Sequence, residues 1–373
     1  MKAVAVAPKT KTLELIDLPA PRLERPTDVL VRILDVGVCG TDREICAFDY
    51  GTPPAGSDHL VIGHEALGQV EAVGPAVTRV RPGELVVPTV RRPCGRPECR
   101  ACREQRQDFC YTGEFSERGI KERNGFMTEL VVEDERALNV VPPELREIGV
   151  LCEPLTIAEK ALRQIDEVQT RLPWACPHEL GKPAGYCHRA VVLGAGPVGL
   201  LGAMALAATG YLVTVYSREP APNPKSDLLA EIGIPYLSSL EVTPERLAAK
   251  LGNIDLVYEA SGASAASFEL MKVLGSNGVF VFTGVPGRKA PIELDADFLM
   301  KRMVLHNQVL FGTVNADRGA FESAIRHLAE FDRRWPKQVR ALITGRFPID
   351  AHPALLQGRA AGIKNVIALA SLR

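Results

Sequence analysis

Three side chains in the stretch from residue 37 to residue 74 are of the types that bind zinc. The thiol of Cys39 lies in a glycine-bounded turn, and an imidazole and a carboxylate stand side by side at His64 and Glu65. Cysteine, histidine and acidic side chains are the ligands that zinc takes in proteins. A single free cysteine is usually a small packed hydrophobe. The two glycine-framed segments together therefore predict a metal site.

Two polar neighbours of Cys39 extend this prediction. The hydroxyl of Thr41, two residues past the thiol, can reach a substrate oxygen held at the metal. The carboxylate of Asp42 can hold a ligand imidazole in its correct tautomer. A turn or a helix cap is the alternative role for Asp42.

A second group of thiols lies on the loop that ends at residue 110. Its four cysteines follow the spacing Cys-x4-Cys-x2-Cys-x7-Cys. Four thiolates on one short loop predict a closed tetrahedral zinc site, which is structural because no coordination position stays open. Two disulfides are the alternative, which a reducing compartment disfavours. The predicted ligands are Cys94, Cys99, Cys102 and Cys110.

A third set of cysteines and histidines lies on the polar loop between residues 170 and 189. The set comprises Cys176, His178, Cys187 and His188. Its spacing fits no strong metal-binding template. We therefore interpret this segment as a loop that covers the neighbouring domain.

A glycine-rich turn follows the apolar run Ala190–Leu193 and precedes the alanine-rich run Leu200–Thr209. The order strand, GxGxxG turn, helix, strand predicts a dinucleotide-binding unit. The glycines allow a tight turn, close approach of the pyrophosphate and packing of the helix on the strand. The residues of this turn are Gly194, Ala195, Gly196, Pro197, Val198 and Gly199.

The end of the next strand indicates which dinucleotide binds. An NAD site places an acidic residue against the adenosine ribose at this point. Here the chain reads Ser217, Arg218, Glu219. A hydroxyl and a planar cation suit a 2′-phosphate, so we predict NADP, with NAD as a second acceptor because Glu219 is adjacent. A merely solvated Arg218 is the alternative.

The elements that must position these residues form two patterns. Short strands at Lys2–Val6, Leu13–Ile16 and Val29–Val36, separated by Pro and Gly, predict a small β-rich domain around Cys39. Strands alternating with helices after residue 190 predict a doubly wound parallel sheet. The fold class is therefore α/β. We expect a helix over Thr156–Ile165.

The parallel sheet should end in strands at Gly278–Phe282 and Val304–Asn315. Ligands of such sheets bind at the carboxyl ends of the strands. We therefore predict that Thr283, Gly284 and Val285 lie beside the nicotinamide.

Bulk composition restricts the class of protein. A chain of 373 residues with 46% hydrophobic content favours two globular domains. The formal net charge of −1 provides no field that attracts nucleic acid or an anionic membrane. No apolar run reaches the roughly 18 residues of a membrane span, and the N-terminus lacks the apolar core of a signal peptide. We expect a cytoplasmic protein whose nine cysteines serve as metal ligands and free thiols.

Several segments together carry a family resemblance. Gly-Val-Cys-Gly-Thr-Asp at 37–42 and Gly-His-Glu-Ala-Leu-Gly at 63–68 resemble the zinc-dependent medium-chain alcohol and polyol dehydrogenases. The segments at 41–45, 112–115, 118–121 and 125–129 resemble NAD(P)-dependent glucose 1-dehydrogenase within that superfamily. The resemblance runs from Val4 to the C-terminus.

This resemblance implies a domain plan and a set of ligands. The plan is a GroES-like zinc domain at 1–157, a Rossmann NADP-binding domain at 158–315, and a return to the first domain at 316–373. It implies one catalytic and one structural zinc ion, NADP or NAD, a sugar substrate, and a homo-oligomer that is a dimer or tetramer. Relatives usually have two residues in the first gap of the four-cysteine loop, whereas this chain has four.

The resemblance also implies residue roles. The catalytic zinc would be held by Cys39 and His64 with a carboxylate from Glu65 or Glu153. Its fourth coordination position would stay open for the substrate. A helix N-terminal carboxylate is the alternative role for Glu153, and a solvated turn residue is the alternative for Glu117. Glu44 replaces the histidine that ends the proton relay in several relatives. Implied catalytic residues are Thr41, Asp42 and Glu44; implied substrate contacts are Thr41, Glu117, Glu153, His306 and Asn315; implied further cofactor contacts are Thr313, Val314 and Asn315.

The implied reaction is oxidation of D-glucose, with galactose as another aldose, at C1 to the lactone with hydride transfer to the nicotinamide. The same machinery would serve a sorbitol- or threonine-type dehydrogenase acting on a polyol or secondary alcohol. A non-catalytic nucleotide-binding scaffold is the alternative of another class. The predicted open metal site argues against a scaffold.

Overall fold

The protein forms two compact units in a computed structural model that describes residues 1–173, 187–287, 291–358 and 361–370. The first unit comprises Met1–Thr156, Asn315–Asp332 and Val339–Arg373. The second comprises Ile157–Val314 and Arg333–Gln338. The loop prediction for Cys176 and His178 lies outside the described residues.

The strands are numbered in chain order. They are β1 Lys2–Ala7, β2 Thr12–Asp17, β3 Asp28–Gly37, β4 Leu60–Val61, β5 Glu65–Val73, β6 Leu85–Pro88, β7 Arg91–Arg92, β8 Ser116–Arg118, β9 Glu122–Arg123, β10 Leu130–Asp134, β11 Leu138–Val141, β12 Arg189–Leu193, β13 Leu212–Ser217, β14 Tyr236–Ser238, β15 Leu256–Glu259, β16 Val279–Phe282, β17 Val309–Gly312, β18 Ile343–Pro348 and β19 Lys364–Ala368.

The α-helices follow the same convention. They are α1 Gly40–Cys46, α2 Arg100–Arg103, α3 Cys152–Gln169, α4 Pro197–Ala208, α5 Pro224–Glu231, α6 Pro244–Leu251, α7 Ser264–Met271, α8 Ala296–Leu305, α9 Arg318–Arg334, α10 Pro336–Ala341 and α11 His352–Leu356. Within the described residues, no helix is both long enough and apolar enough to cross a membrane.

The first unit is built around a sheet of seven strands. Its order is β11-β6-β5-β3-β19-β18, and β10 also pairs with β3. Strand β3 is almost wholly buried because its apolar residues fill the centre of this sheet. Antiparallel pairing of β3 with β5 sets Gly37 opposite Glu65. The C-terminal strand β19 pairs with the end of β3, so residues that are distant in sequence meet near Cys39.

A small sheet of three strands, β7-β8-β9, lies beside the four-cysteine loop of the same unit. Arg91 is directly opposite Glu117 across the β7–β8 pair. Both side chains are buried. Opposite positions on neighbouring antiparallel strands bring side chains into contact, which matters for the site described below.

The second unit contains a six-stranded sheet with parallel pairing throughout. Its strand order is β14-β13-β12-β15-β16-β17. This is the doubly wound order of dinucleotide-binding proteins, in which β12 starts the chain path at the centre. The apolar runs of β12 and β15 are buried because helices cover both faces of such sheets.

Two predictions about elements and one about cysteines need correction. The last strand does not cover Val304–Asn315: helix α8 continues to Leu305, and β17 spans only Val309–Gly312. Helix α3 begins at Cys152 rather than at Thr156. Cys187 is disulfide-bonded, contrary to the general expectation of free thiols. An apolar run alone does not distinguish the end of a helix from a buried strand, which explains the first error.

Candidate active site

The three zinc-type side chains meet in the first unit. Ligand atoms of Cys39, His64 and Glu65 all lie within 4.8 Å of one another. Cys39 directly precedes α1, and Glu65 opens β5. Gly63 allows this approach because its φ of +90° is a conformation that other residues rarely adopt. The sequence therefore brings a thiol, an imidazole and a carboxylate to one point through two loop-to-strand junctions.

Asp42 orients both of the first two groups. Its Oδ2 accepts a 2.9 Å hydrogen bond from the backbone N–H of Cys39, and its Oδ1 lies 3.3 Å from Nδ1 of His64. The second contact is an ion pair by distance but does not have hydrogen-bond geometry. Burial by itself would lower the pKa of His64, but Asp42 and Cys39 outweigh it and raise that pKa well above its ordinary value. Because Nδ1 faces Asp42, Nε2 is the nitrogen free for a metal.

Glu65 has a cationic partner that the sequence did not reveal. The Nζ of Lys364 lies 2.5 Å from Glu65 Oε2 and donates to the carbonyl of Val38 at 3.2 Å. Burial would lower the pKa of Lys364, but the negative charge of Glu65, above all, raises it. Gly37 leaves room for this carboxylate, since a Cβ there would meet Glu65 Oε2 at 2.1 Å. Strand β19 supplies the lysine from a point 299 residues further along the chain.

Glu153 lies in the first turn of α3 and is 8% exposed. Burial raises its pKa to about 7, with His64 acting against the rise and Glu65 adding to it. Its carboxylate is not among the three groups that converge within 4.8 Å. The structure thus brings together Cys39, His64 and Glu65. Glu153 is outside this group of three, but the charges of His64 and Glu65 affect its pKa.

The donor set of this cluster fits zinc. Sulfur, imidazole nitrogen and carboxylate oxygen are all zinc donors. His64 and Glu65 are 5% and 1% exposed, so these ligands would be largely protected from water. Asp42 is fully buried and its carboxylate faces Nδ1 of the imidazole, which is the usual position of a carboxylate that supports a metal-binding histidine.

The predicted proton-relay residues lie on α1, immediately after Cys39. Thr41 and Glu44 are both half-buried, and α1 runs Gly40–Cys46. Tyr50, which sequence reasoning missed, follows this helix. Tyr50 is 53% exposed, and partial burial of its phenol raises its pKa, with the charges of Glu117 and Glu44 adding to the rise and that of Arg91 acting against it. The Tyr50 phenol is therefore within electrostatic range of Glu117 and Glu44.

Glu117 and Asn315 are in direct contact. The Nδ2 of Asn315 donates a 2.9 Å hydrogen bond to Oε1 of Glu117, and the Nε of Arg91 donates to the same oxygen at 3.0 Å. Glu117 is 5% exposed. These contacts join a carboxylate and an amide that are 198 residues apart in sequence. Such a pair can bind adjacent hydroxyl groups of a polyol or sugar.

The four cysteines of the second predicted metal site also converge. One ligand atom from each of Cys94, Cys99, Cys102 and Cys110 lies within 4.8 Å of every other. The widened first gap therefore does not separate them. Burial would raise the pKa of Cys110, but hydrogen bonds led by the Thr112 hydroxyl lower it to about 6. Four thiols that converge in this way fit a structural zinc ion.

The glycine-rich turn of the second unit has the shape of a phosphate cradle. A Cβ on Gly199 would meet the carbonyl oxygen of Gly194 at 2.2 Å, whereas a Cβ on Gly196 would meet no atom within 4 Å. Gly199 therefore allows α4 to pack on the turn, and Gly196 faces open space at the N-terminus of α4. Pro197 and Val198 form the first turn of that helix. This arrangement fits a dinucleotide pyrophosphate.

The last residue of β13, Ser217, and the two residues that follow it differ in their surroundings. Arg218 is exposed, and its carbonyl accepts a hydrogen bond from Ser238. Glu219 pairs with Lys225 at 2.7 Å. Ser217 ends the strand itself. The glutamate is therefore engaged by a lysine, while the arginine side chain extends into solvent.

Glu259 organises the loops that follow β15 and β16, and sequence reasoning missed it. Its Oε1 accepts hydrogen bonds from the N–H groups of Ser261 and Gly262, both at 2.7 Å. Its Oε2 accepts one from the N–H of Gly284 at 3.1 Å, and the Thr283 hydroxyl donates to its carbonyl. Glu259 is 1% exposed. It thereby fixes the segment predicted to lie beside the nicotinamide.

The remaining predicted cofactor residues lie at the ends of neighbouring strands. Val285 is 70% exposed and Val314 is 53% exposed. The carbonyl of Val314 accepts a hydrogen bond from Lys160 at 2.9 Å. Thr313 follows β17, and its hydroxyl is buried without a hydrogen-bond partner among the described residues. All three therefore follow the carboxyl ends of β16 and β17, where ligands of such sheets bind.

The position of His306 in its own sheet does not favour the prediction that it borders the sugar. His306 ends α8 and precedes β17, and its Nδ1 lies 3.0 Å from the hydroxyl of Ser276. Ser276 precedes β16. Both residues therefore lie at the amino ends of these strands, opposite the edge where ligands of parallel sheets bind.

The fold and the clustered residues define a dehydrogenase of the alcohol dehydrogenase class, with a GroES-like domain and a Rossmann-type parallel sheet. The family model of the alcohol dehydrogenase GroES-like domain matches residues 25–143. The model of the glucose dehydrogenase C-terminus matches residues 146–369. Solved structures at 19–22% identity share this fold, among them an alcohol dehydrogenase from Thermus sp. ATN1 with a TM-score of 0.77, 22% identity, and 99% of this chain and 100% of that chain covered.

Full-length relatives identify the family more narrowly. The chain is 37% identical to a glucose 1-dehydrogenase of Methanocella arvoryzae, with 98% of this chain and 99% of that protein covered. It is 38% identical to one of Thermoproteus tenax, with 94% of each covered. The structure of Haloferax mediterranei glucose dehydrogenase in complex with NADP, Zn and gluconolactone matches with a TM-score of 0.87 and 33% identity, and 100% of both chains is covered. The chain belongs to the glucose dehydrogenase family, which confirms the resemblance and the fold class predicted from sequence.

Proposed function

We propose that this protein oxidises D-glucose, and other aldoses such as galactose, at C1 to the lactone, with transfer of a hydride to NADP or NAD. The observation that carries the proposal is the convergence of Cys39, His64 and Glu65 within 4.8 Å. Full-length similarity to a glucose dehydrogenase whose structure contains NADP, Zn and gluconolactone supports the same reaction. The contact between Glu117 and Asn315 supports a polyhydroxylated substrate.

We assign zinc-dependent catalysis to the first compact unit and NADP binding to the second. The catalytic zinc domain corresponds to residues 1–157 with the C-terminal return at 316–373, and the NADP-binding domain corresponds to residues 158–315. The boundaries of the compact units fall within a residue or two of these positions, apart from the short segment Arg333–Gln338. This similarity of boundaries supports the division.

Each bound group would supply one kind of chemistry: a zinc ion at Cys39, His64 and a carboxylate of Glu65 or Glu153 acts as a Lewis acid, and the nicotinamide accepts the hydride. The protein has to hold the sugar and remove one proton. Glu117, Glu153 and Asn315 provide acceptors and a donor for sugar hydroxyls. Asp42 keeps the His64 ring in position through its contact at Nδ1.

The hydroxyl at C1 must lose its proton as the hydride leaves. Thr41, two residues past Cys39, provides a hydroxyl that can receive this proton and pass it on. Glu44 lies one turn further along α1 and is half-buried, so it is positioned to release the proton to solvent.

The four-cysteine loop would hold a second, structural zinc ion. Cys94, Cys99, Cys102 and Cys110 present four thiols without an additional carboxylate or imidazole in the group. A reducing, cytoplasmic compartment would keep these thiols available as ligands.

We also propose that the protein assembles as a homo-oligomer. The exposed side of α8 carries Met300, Val304 and Leu305, which are 60%, 74% and 65% exposed. Strand β17 forms one edge of the described parallel sheet. Exposed apolar side chains beside an open strand edge favour pairing with a second copy.

A substrate panel tests the reaction. Reduction of NADP and NAD is measured with D-glucose, D-galactose, sorbitol, threonine and a simple secondary alcohol. We expect the aldoses to be oxidised fastest. Faster turnover of sorbitol or threonine would favour a polyol-type dehydrogenase, and the absence of turnover with every aldose would refute the proposal.

The variant Cys39→Ser separates an enzyme from a nucleotide-binding scaffold. A serine hydroxyl is a poor zinc ligand compared with a thiolate, so we expect turnover to fall below detection. Calorimetric titration should show almost unchanged NADP binding, because the glycine-rich turn belongs to the other unit. Normal turnover by this variant would exclude a catalytic zinc ion at this position.

A further inference from the structure

A buried arginine lies between the proposed sugar-binding pair and the four-cysteine loop. Arg91 is 7% exposed and faces Glu117 across the β7–β8 pair. Its guanidinium carbon lies 3.7 Å from the centroid of the Phe115 ring. Neither the zinc-type cluster nor the proton relay involves this residue, yet its side chain donates hydrogen bonds to Glu117 and to the carbonyls of Gln107 and Asp108.

The carboxylate of Glu117 has two unequal oxygens. Oε1 accepts hydrogen bonds from Arg91 Nε at 3.0 Å and from Asn315 Nδ2 at 2.9 Å. No donor among the described residues bonds to Oε2. A carboxylate held in this way has a fixed orientation and offers one oxygen to a hydroxyl group.

The opposite side of the same guanidinium is bound to the four-cysteine loop. Arg91 Nη1 lies 3.3 Å from the carbonyl oxygen of Asp108 and 3.5 Å from that of Gln107. These two residues lie in the short 3-10 helix that directly precedes Cys110. One planar side chain therefore connects Glu117 to the backbone just before Cys110, which is a predicted metal ligand.

A second arginine connects the loop to the Asn315 segment. The Nε of Arg106 lies 3.3 Å from Oδ2 of Asp317, and the same guanidinium holds the carboxylate of Asp108 at 3.0 and 3.1 Å. Asp317 caps α9 through the N–H of Ala320 at 3.1 Å. It lies two residues after Asn315, so the loop is anchored to both members of the sugar-binding pair.

We propose that the four-cysteine loop positions the sugar-binding pair Glu117 and Asn315, with Arg91 as the principal positioning residue and Arg106 as the second connection. The structural metal site then contributes to recognition of the sugar as well as to stability. This inference rests on the proposed function, because it takes Glu117 and Asn315 to be the sugar contacts.

The chemistry of arginine explains why this residue type is required. A guanidinium presents five donors in a rigid plane, so it can bond Glu117 and two carbonyls at once. A lysine keeps the charge but presents a single nitrogen. The conservative change Arg91→Lys should therefore release the loop from Glu117 without leaving the carboxylate unpaired.

The first test is the kinetics of Arg91→Lys. Loss of a charge-assisted hydrogen bond network should raise KM for glucose by about 10- to 100-fold. The value of kcat should change much less, since ground-state and transition-state binding of the sugar weaken together. Calorimetry measures the dissociation constants of NADP and of gluconolactone separately. We expect the constant of gluconolactone to rise and that of NADP to stay unchanged.

Arg92→Lys is the matched control. Arg92 is the neighbouring residue of β7, and it also makes a largely buried ion pair, with Glu133 at 2.8 Å. Among the described residues it forms no hydrogen bond or ion pair with Glu117. The two variants should lose similar thermal stability. Only Arg91→Lys should raise KM for the sugar. Equal increases for both would overturn the proposal, because they would reflect general destabilisation.

A double-mutant cycle with Glu117→Gln tests whether Arg91 affects sugar binding through Glu117. If Arg91 acts through Glu117, Arg91→Lys should have little further effect on sugar binding in the Glu117→Gln background. Additive effects would overturn the proposal. Should Arg91→Lys fail to fold, Arg106→Lys provides the same test through the Asp317 connection, and an unchanged KM in that variant would also overturn it.

Failure of this inference can be distinguished from failure of the proposed function. If the proposed function is wrong, the unsubstituted enzyme will not oxidise any aldose. The cycle is run on whichever substrate of the panel turns over best, so additivity there counts against the loop's positioning role whatever that substrate is.

Discussion

At the scale of single residues, charge partners determine which groups remain available. Glu65 is bound by Lys364 at 2.5 Å and Glu219 by Lys225 at 2.7 Å. In both places a carboxylate that the sequence presents as a ligand is already paired with a lysine. Lys364 occupies Oε2 of Glu65, so the thiol of Cys39, the imidazole of His64 and the other carboxylate oxygen are the groups left for a metal. Beside Glu219, the exposed guanidinium of Arg218 is the group left for a ligand.

The cofactor preference can be tested at this scale with Arg218→Ala. A guanidinium bonded to the 2′-phosphate contributes about 1.5–3 kcal/mol to NADP binding, the range for hydrogen bonds to charged groups. We expect the dissociation constant of NADP to rise at least tenfold, while that of NAD changes little. Fluorescence titration of both cofactors measures this.

Arg246→Ala is the control for that variant. Arg246 is an exposed arginine of α6 in the same unit, and its loss should affect neither cofactor. Equal losses of NADP and NAD affinity in Arg218→Ala would remove the argument for a 2′-phosphate contact.

At the scale of elements, the glycine-rich turn has two glycines with different purposes. Gly199 lets α4 pack against the backbone of Gly194, and Gly196 leaves open space at the start of that helix. The same sequence motif therefore contains one position needed for folding and one needed for the ligand.

Glu259 connects two further loops of the same unit, since its carboxylate accepts hydrogen bonds from the loops after β15 and β16.

Two alanine variants separate these purposes. Gly199→Ala forces a methyl group onto the carbonyl of Gly194 and should lower stability by about 1–3 kcal/mol, the usual cost of overpacking. Gly196→Ala has backbone angles open to alanine, φ −77° and ψ 178°, and should cost less than about 1 kcal/mol as a change at a helix N-cap.

Although Gly196→Ala should cost little stability, we expect it to weaken NADP binding strongly. Its methyl group occupies space that the pyrophosphate must approach, so we expect affinity to fall more than about tenfold. Denaturant unfolding and cofactor titration measure the two effects. A variant at Gly196 that binds NADP normally would show that the pyrophosphate does not approach this turn.

At the scale of the whole molecule, metal and cofactor should protect different parts of the chain. Both metal-type clusters belong to the first unit, and the glycine-rich turn belongs to the second. A ligand stabilises the part of a protein that its binding orders. Zinc and NADP should therefore have separable effects on local stability.

Hydrogen exchange with metal analysis tests this expectation. The purified protein should contain two zinc ions per chain. Chelation should speed amide exchange in residues 37–66 and 91–123 while leaving strands β12, β13 and β15 protected, and NADP should slow exchange at residues 194–200. A single zinc ion per chain would show that one site is absent, and equal loss of protection in both units would contradict their separate dependence.

Much of this architecture could be predicted from sequence because its signals are local. The glycine-rich turn between a strand and a helix, the spacing of four cysteines and the two glycine-framed segments each depend on residues close in the chain. The family and the fold class were therefore confirmed. The last strand was wrong at Val304 and Leu305 because an apolar run does not reveal whether it continues a helix or enters a sheet.

The amino-acid sequence by itself determined which chemical groups the protein carries and which local turns present them. Only the tertiary structure decided which groups meet: Lys364 with Glu65, Asn315 with Glu117, and Arg91 between Glu117 and the four-cysteine loop. It also placed His306 at the amino end of β17, away from the ligand edge. The reason is physical, since contacts between distant residues depend on strand pairing and register, which short-range spacing does not encode.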